Sequence, residues 1–342
     1  MKKERTVQLK WVALASLLNN TGAAFIWPLT TMYVNKYLGQ TLTTAGVVML
    51  LISIAMMTGN YIGGWLFDHW SSYRTALLGV TCSTIPIILL IFIHGWPWYA
   101  VLMVINSFGD GINMTIVNSY GTAVANHPAR FVFNYIYMAF NVGVVLGTLL
   151  VGVLLPISVV LVFSVASAFY LGLTLMVLFT FNIEVKSIGQ QRSKPGRRIK
   201  GRSKFIALVF LILINVMTIH ISYSLWESVM AVHMTNMGIP FYAYSLLWTL
   251  NGIIIIIGQP LVNKLSPYMR LSTQIMLGIL IFAHNLVEFV IDFVVLTIGE
   301  TLSFAGLPAW ITQLTGTANA GHYQGLYNIV ISVGRAIGPL YG

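Results

Sequence analysis

Residues 63–74 read Gly63-Gly64-Trp65-Leu66-Phe67-Asp68-His69-Trp70-Ser71-Ser72-Tyr73-Arg74. They carry almost the only charges between the start of the first apolar run of the chain and the middle of the fourth. One long hydrophobic segment ends at the two glycines and another begins after Arg74, so Asp68 and Arg74 are predicted to lie in a hairpin link at one membrane surface. A similar but less distinct polar segment, from Gly258 to Arg270, again lies between two apolar runs. This repetition indicates an internal duplication.

The composition excludes an ordinary soluble protein. Of the 342 residues, 57% are hydrophobic and 8% are charged, whereas soluble domains carry about 25% charged residues. Each apolar run is long enough to cross a bilayer as a helix, and barrel strands would instead alternate in polarity. The single cysteine, Cys82, excludes an intrachain disulfide and a cysteine-built metal site. The first run is too long for a cleaved signal sequence and is predicted to be a retained anchor. The sequence predicts an all-α polytopic membrane protein.

Eleven apolar runs divide into six, a basic linker, and five. They are predicted at 11–33, 43–66, 75–94, 98–124, 133–154, 158–181, 205–230, 240–262, 271–287, 292–313 and 324–342. We therefore expect an N-terminal six-helix bundle over 1–181, a linker over 182–204 and a C-terminal bundle over 205–342. The glycine spacing of Gly143 and Gly147 in the fifth run recurs at Gly334 and Gly338 in the eleventh, which supports two six-helix repeats. On this interpretation the last helix of the second repeat is missing from this chain.

The basic residues predict the orientation of these helices. If the N-terminus is cytoplasmic, the inner segments hold 16 of the 18 Lys and Arg residues and the outer loops hold only Lys36. This bias predicts a cytoplasmic N-terminus in the cell membrane, and it accounts for the net charge of +10 without a nucleic-acid partner. The linker either contacts anionic lipid headgroups or is a solvated loop that sets the topology.

Ionisable groups inside a membrane mark pathways or proton relays by default, and four stand out: Asp110, Glu227, Glu300 and Arg335. In the fourth run Asn106, Asp110 and Asn113 share one helix face. This face either lines a pathway or forms a buried hydrogen-bond cluster between helices. In the first run Ser16, Asn20 and Trp27 lie near a common face, which provides either packing and polar lining or a specific ligand site.

The acidic residues of the seventh and tenth runs each have two interpretations. Glu227, on one side of its helix with His220 and with Tyr223 or Ser224, is either a proton-linked group or a solvated carboxylate at a helix end. Glu300 either forms a neutralising pair with Arg335 or lies buried without that partner, in which case it can take up a proton as a coupling site requires.

Three segments resemble the major facilitator superfamily. Gly64, Leu66 and Asp68 match the loop signature Gly-x-Leu-Ala-Asp-Arg-x-Gly-Arg-Lys. His69 replaces the first arginine, and Arg74 is the one basic residue that remains at the end of the signature. The segment Thr297-Ile298-Gly299-Glu300, followed by Pro308, is similar to the Gly-Glu motif of drug:proton antiporters. The segment 226–233 is similar to one that carries an acidic, proton-linked residue in lactococcal-type multidrug exporters.

This resemblance implies which helices would surround a substrate. In the superfamily the first, fourth, seventh and tenth helices line a central cavity, and they would carry Asn20, Asp110, Glu227 and Glu300 here. Aromatic residues along them either suit amphipathic cations or form packing and interfacial belts; they are Trp27, Tyr223, Trp226, Phe304 and Trp310. The family's loop aspartate faces a helix N-terminus of the other half, so Asp68 is expected near the start of the eleventh helix, around Tyr323.

We expect a proton-driven secondary transporter that exports hydrophobic or cationic compounds by antiport. The alternatives are a proton-symport importer of a small polar metabolite and a non-transporting, truncated family member. An enzyme is not expected, because neither a phosphate-binding Gly-x-x-x-x-Gly-Lys nor metal-ligand spacing occurs.

The expected partners are a small-molecule substrate, protons and membrane lipid around a monomer, with no cofactor beyond the proton gradient. The expected site comprises coupling residues Glu300, Glu227 and Asp110, cavity residues Asn20, Trp27, Asn106, Asn113, His220, Tyr223, Trp226, Phe304 and Arg335, and gating residues Gly64, Asp68 and Arg74.

Overall fold

The protein is all-helical wherever its structure is described. The computed structural model describes residues 6–26, 30, 33–155, 157–183, 185, 202–228, 234, 237–239, 241–265, 285–303, 307, 310–311 and 320–337. Within them the chain forms ten α-helices and a π-helical turn, Tyr33–Tyr37. The helices are α1 Leu9–Ile26, α2 Leu42–His69, α3 Ser72–Phe92, α4 Trp98–Thr122, α5 Ala129–Leu154, α6 Val159–Thr180, α7 Arg202–Ser228, α8 Phe241–Leu265, α9 Leu286–Ser303 and α10 Ala320–Ile337.

The first eight helices correspond to the first eight predicted runs, and α9 and α10 correspond to the tenth and eleventh. Most of the predicted ninth run, 271–287, and most of the linker, 182–204, lie outside the described residues. Several helix boundaries differ by a few residues from the predicted apolar runs. Helix α7 begins at Arg202, inside the predicted linker, and α9 begins at Leu286 rather than at 292. Asn285 explains the second difference, because its side-chain oxygen accepts a hydrogen bond from the Glu288 N–H at 3.0 Å and caps the helix start.

The hairpin predicted at 63–74 is present. Helix α2 ends at His69 and α3 begins at Ser72, so only Trp70 and Ser71 connect them. The Ser71 hydroxyl accepts a hydrogen bond from the Arg74 N–H at 3.2 Å, which caps α3. A serine cap directly after a helix end forces the chain to reverse within this short link.

Contacts between helix ends define two sides of the bundle. The Phe67 ring, next to the α2–α3 link, meets the Tyr120 ring of α4 edge-on with centroids 5.5 Å apart. The Tyr120 hydroxyl donates to the carbonyl of Phe181, just after α6, at 3.0 Å. We call this the Asp68 side. On the opposite side the hydroxyl of Tyr99, at the start of α4, donates to Thr30 Oγ1 at 3.1 Å.

The described glycines of the repeated spacing pack closely against a neighbouring helix in both halves, and Gly338 lies outside the described residues. A Cβ on Gly143 or Gly147 of α5 would lie 2.6 Å from the carbonyl oxygen of Leu17 or Thr21 on α1. A Cβ on Gly334 of α10 would lie 2.8 Å from His220 Cβ on α7. The fifth helix thus approaches the first as the eleventh predicted helix approaches the seventh, which agrees with an internal repeat.

Five of the described helices are long and apolar enough to cross a membrane. They are Thr43–His69, Ser72–Phe92, Trp98–Thr122, Ala129–Val151 and Val159–Thr180. Several of their largest apolar side chains point outward, as lipid-facing residues do; Phe92 and Phe179 are both more than 70% exposed.

Candidate functional site

Glu300 lies at the centre of a buried polar cluster formed by helices of both halves. Its side chain is 4% exposed. The hydroxyl of Tyr137, on α5, donates to Glu300 Oε1, and Asn251 Nδ2, on α8, donates to Oε2 at 2.8 Å. Asn251 Nδ2 also lies 3.0 Å from Thr297 Oγ1, one turn before Glu300 on α9. The hydrogen bonds to both carboxylate oxygens thus come from neutral groups.

Two further groups lie close to this carboxylate. The Tyr223 hydroxyl on α7 is within hydrogen-bonding reach of Glu300, and the Arg335 guanidinium on α10 is near enough to act on it electrostatically. Arg335 also acts on His220, whose Nδ1 lies 2.8 Å from the Val216 carbonyl. Arg335 thus lies near Glu300, but tyrosine and asparagine supply the hydrogen bonds described above.

Asp110 occupies a second buried cluster, within the N-terminal half. The Tyr170 hydroxyl on α6 donates to both carboxylate oxygens, at 3.0 and 2.9 Å, and Asp110 is 6% exposed. On the same helix, Asn106 donates to the Ser83 carbonyl at 3.1 Å. Asn113 donates to Ser83 Oγ at 2.8 Å and to Asn19 Oδ1 at 3.1 Å. The predicted stripe on the fourth helix faces α1, α3 and α6 of its own half.

Asp68 joins the two halves at the end of α2. Its Oδ2 accepts a hydrogen bond from the backbone N–H of His322 at 2.7 Å. His322 lies in the first turn of α10, where backbone N–H groups have no acceptor within the helix and the helix dipole attracts negative charge. Gly64, one turn earlier on α2, lies opposite Gly325, whose Cβ position is 3.6 Å from Gly64 Cα.

A line of polar side chains continues from this contact toward the middle of the bundle. Asn60 Nδ2 on α2 donates to Ser332 Oγ on α10 at 3.3 Å. Asn328, also on α10, donates to Thr115 Oγ1 of α4 at 3.3 Å, and Thr115 in turn donates to Asn60 Oδ1 at 3.1 Å. The two halves are therefore held together by hydrogen bonds on the Asp68 side.

Comparison with known proteins identifies the family. The sequence profile of the Major Facilitator Superfamily matches residues 12–339. The chain belongs to this superfamily. It is 36% identical over 346 residues to the uncharacterized MFS-type transporter YttB of Bacillus subtilis (strain 168), covering 98% of this chain and 87% of that protein. It is 22% identical over 376 residues to another from that strain, YqjV, covering 100% of this chain and 87% of that protein.

Solved structures of three other proteins share the fold. The human organic anion transporter MFSD10 (TETRAN) has a TM-score of 0.71 at 13% identity, covering 98% of this chain and 92% of that one. The peptide transporter POT in complex with sulfate gives 0.71 at 16%, covering 97% and 87%. A bacterial homologue of the iron transporter ferroportin in its outward-facing state gives 0.71 at 13%, covering 97% and 92%. The predicted all-α, major facilitator fold is confirmed, and the chain is an MFS-type transporter by family.

Two aromatic residues assigned to the superfamily cavity pack inside the C-terminal half. Trp226 is 2% exposed, and its ring centroid is 4.7 Å from that of Phe293. Tyr223 meets Trp248 edge-on at 5.4 Å, and Trp248 meets Phe293 at 5.2 Å. In this conformation Trp226 does not line an open cavity, because α7, α8 and α9 enclose it.

The other predicted site residues fall in varied places. Asn20 is half-buried and donates to the Ser16 carbonyl of its own helix at 2.7 Å. Arg74 is exposed, with its guanidinium 5.8 Å from the centre of the Trp70 ring. Trp310 packs beside the buried cluster that joins α7 and α10. Trp27, Phe304 and the side chain of Glu227 lie outside the described residues. Nor do the described residues bring together three metal-ligating side chains.

Sequence reasoning missed several partners of the acidic residues. Asn251 carried a signal, because it is a polar residue within an otherwise apolar run. Tyr137 and Tyr170 carried none, because tyrosines in membrane helices are common as packing and interfacial residues. Only the tertiary structure places these two hydroxyls on carboxylates 163 and 60 positions away.

Proposed function

We propose that this superfamily member is a proton-coupled secondary transporter that exports hydrophobic or cationic compounds by antiport with protons. The observation that carries this proposal is the Glu300 carboxylate, buried between the two halves and hydrogen-bonded by Tyr137 and Asn251. Neutral donors of this kind can accompany both the charged and the protonated form of a carboxyl group. Glu300 is therefore suited to exchange a proton for another cation.

Antiport follows when one carboxylate serves two ligands in turn. A proton neutralises Glu300 in one part of the cycle, and a cationic substrate compensates its charge in the other. The substrate class rests on this charge, on the Gly-Glu context of the tenth predicted helix, and on the aromatic residues of α7 and α8 near the site. The protein needs no cofactor beyond the proton gradient and acts as a monomer in lipid.

Transport proceeds by alternating access between the N-terminal bundle, 1–181, and the C-terminal bundle, 205–342. The distribution of basic residues supports a cytoplasmic Asp68 side in the cell membrane. The hydrogen bonds of Asp68 and Asn60 to α10 would then close the cytoplasmic entrance. In this orientation the observed conformation would be closed to the cytoplasm.

The other acidic candidates receive different roles. Asp110 is bonded only by Tyr170 of its own half among the hydrogen bonds given above, which supports a role in packing the N-terminal bundle. Glu227 belongs to the last turn of α7 and remains a candidate for a second proton-linked group.

The test is transport by the purified protein reconstituted into liposomes. An imposed pH gradient is expected to drive accumulation of at least one member of a panel of lipophilic cations. Glu300→Gln, which mimics the protonated form, is expected to abolish gradient-driven flux. Glu288→Gln is the matched control, because Glu288 is a half-buried carboxylate in the first turn of the same helix, where it accepts a hydrogen bond from Asn285.

Three outcomes distinguish the alternatives. Full gradient-driven flux in Glu300→Gln would overturn the coupling role. Uptake of small polar metabolites together with protons, and no exchange of cations, would favour a symport importer. An absence of flux for every compound, in wild type as well, would favour a non-transporting family member.

A further inference from the structure

The residue that holds Glu300 Oε1 belongs to the opposite half of the chain. Tyr137 lies on α5, whereas Glu300, Asn251 and Thr297 lie on α8 and α9. The Tyr137 ring stacks on Phe140 of its own helix at 6.1 Å. Asn141 donates to the Tyr137 carbonyl at 2.9 Å. The hydroxyl is thus carried by a well-supported ring on one half and donates to a titratable group on the other.

The strength of this bond depends on the charge of Glu300. A phenol donates to a carboxylate about twice as strongly as it donates to a neutral carboxyl group. Protonation of Glu300 therefore weakens the link between α5 and α9, while the Asn251 bond lies within the C-terminal half and does not affect the link. The chemical change at the coupling site reaches the contact between the two halves directly.

We propose that Tyr137 is the positioning residue that converts protonation of Glu300 into opening of the Asp68 side. This inference rests on the proposed proton coupling through Glu300. With Glu300 ionised, the Tyr137 bond holds α5 against the C-terminal half and the Asp68 side is closed. With Glu300 protonated, the bond weakens and the Asp68 side opens.

The position of Tyr137 along α5 allows this bond to control movement at the Asp68 side. Tyr137 lies eight residues after Ala129, the first residue of α5, which is at the Asp68 side. At 1.5 Å per residue, Tyr137 is therefore about 12 Å from that side. Eight residues further on, Val145 packs directly on Gly252 of α8. The glycine allows the two helices to approach closely at this point, which can act as a pivot while the Tyr137 end of α5 moves.

The charged and titratable groups around Glu300 are compatible with this arrangement. From the helices packed against it, the described residues bring Tyr137 of α5, Tyr223 of α7 and Arg335 of α10, with His220 of α7 beside Arg335. Of these four, only Tyr137 comes from the N-terminal half. A change in Glu300 charge can alter the contacts to Tyr223 and Arg335, but those changes stay within the C-terminal half.

The direction of the effect agrees with antiport. A proton that reaches Glu300 from the opposite side opens the Asp68 side and leaves there. A cation then binds beside the ionised carboxylate. The Tyr137 bond forms again, and the Asp68 side closes. Protons and cations thus cross in opposite directions.

Distance measurements between spin labels test the proposal without a known substrate. In a Cys82→Ala background, labels at Asn126→Cys and Leu261→Cys report the separation of the α4–α5 link from the end of α8; both positions are exposed. Lowering the pH from about 8 to about 4, which crosses the ordinary glutamate pKa of about 4.3, is expected to increase the population with the longer distance about five-fold, since the difference between a charged and a neutral hydrogen bond is of that size.

Tyr137→Phe removes only the hydroxyl and is expected to abolish this pH dependence, with the longer distance populated throughout. Glu300→Gln is expected to be insensitive to pH as well. Tyr135→Phe is the matched control, because Tyr135 lies two residues away on an exposed face of α5, stacked on Phe131. It should behave as wild type.

A wild-type response to pH in Tyr137→Phe would overturn the proposal. If thermal unfolding shows that Tyr137→Phe does not fold, Glu300→Asp takes its place, because the shorter side chain draws the carboxylate away from Tyr137 and should also remove the pH response. Loss of gradient-driven flux in Glu300→Gln together with wild-type flux and pH response in Tyr137→Phe would leave the proposed function standing and refute this inference alone.

Discussion

The Asp68 carboxylate accepts a hydrogen bond from the backbone N–H of His322 at 2.7 Å, although the two residues are 254 positions apart. One residue ends a helix of the N-terminal half, and the other lies in the first turn of a helix of the C-terminal half. The bond therefore exists only while the two halves are close on this side. It joins the most distinctive charged stretch of the sequence to the interface that must open during transport.

Asp68→Asn is expected to slow transport while leaving substrate binding within about two-fold of wild type. The amide keeps a hydrogen-bond acceptor but loses the charge, which interacts with the helix dipole by about 0.3–1 kcal/mol. The closed state should therefore lose about two- to five-fold in relative population. Transport rates in liposomes and equilibrium binding of the same substrate measure the two effects separately. A wild-type rate would remove the gating role of Asp68.

Gly325→Ala is expected to open the Asp68 side. The added Cβ would lie 2.8 Å from the Asn60 carbonyl oxygen, which belongs to the α2 backbone and cannot move alone. We expect several-fold faster maleimide labelling of Asn118→Cys, since Asn118 is half-buried between α4 and α10. Gly172→Ala is the control, because among the described residues no atom of another helix lies within 4 Å of its Cβ position. Equal labelling in both variants would contradict a tight closure at α2 and α10.

The sequence predicted the features that depend on local pattern. The hairpin at 63–74, the helical runs and the buried position of Glu300 follow from polarity and spacing, because the bilayer strictly limits where polar residues can lie. Asp68 could be placed near the start of α10 through a family resemblance carried by Gly64, Leu66 and Asp68. These inferences needed no knowledge of side-chain geometry.

The contacts that join distant helices could not be predicted in the same way. Tyr137 is one of 16 tyrosines in the chain, and nothing in its neighbourhood distinguishes it from an interfacial tyrosine. The stripe of Asn106, Asp110 and Asn113 has the same spacing whether it faces a cavity or its own bundle. Which of these holds depends on the rotation of α4, and Gly109 and Gly111 set this rotation by packing on α3 and α2.

Tyr170→Phe is expected to destabilise the N-terminal half more than it affects coupling. It removes the bond to both oxygens of a buried carboxylate, a loss of roughly 1–3 kcal/mol. Thermal unfolding in detergent should show a lower Tm. Adding Asp110→Asn should recover part of the lost Tm, because the double variant no longer buries a carboxylate charge without the Tyr170 hydroxyl as donor. Asp110→Asn alone should retain gradient-driven flux. Loss of that flux at an unchanged Tm would instead make Asp110 a coupling residue.

Trp226→Phe is expected to preserve the range of transported substrates. The Trp226 ring contacts Phe293 at 4.7 Å and Phe289 at 6.2 Å and is enclosed by the C-terminal half. A smaller aromatic ring keeps these edge and face contacts but leaves unfilled volume, so a loss of about 1–3 kcal/mol in unfolding free energy is expected. Competition between substrates in liposomes, normalised to folded protein, measures selectivity apart from stability. If relative affinities change by ten-fold or more, Trp226 contacts substrate in another state of the cycle, and the aromatic cluster opens during transport.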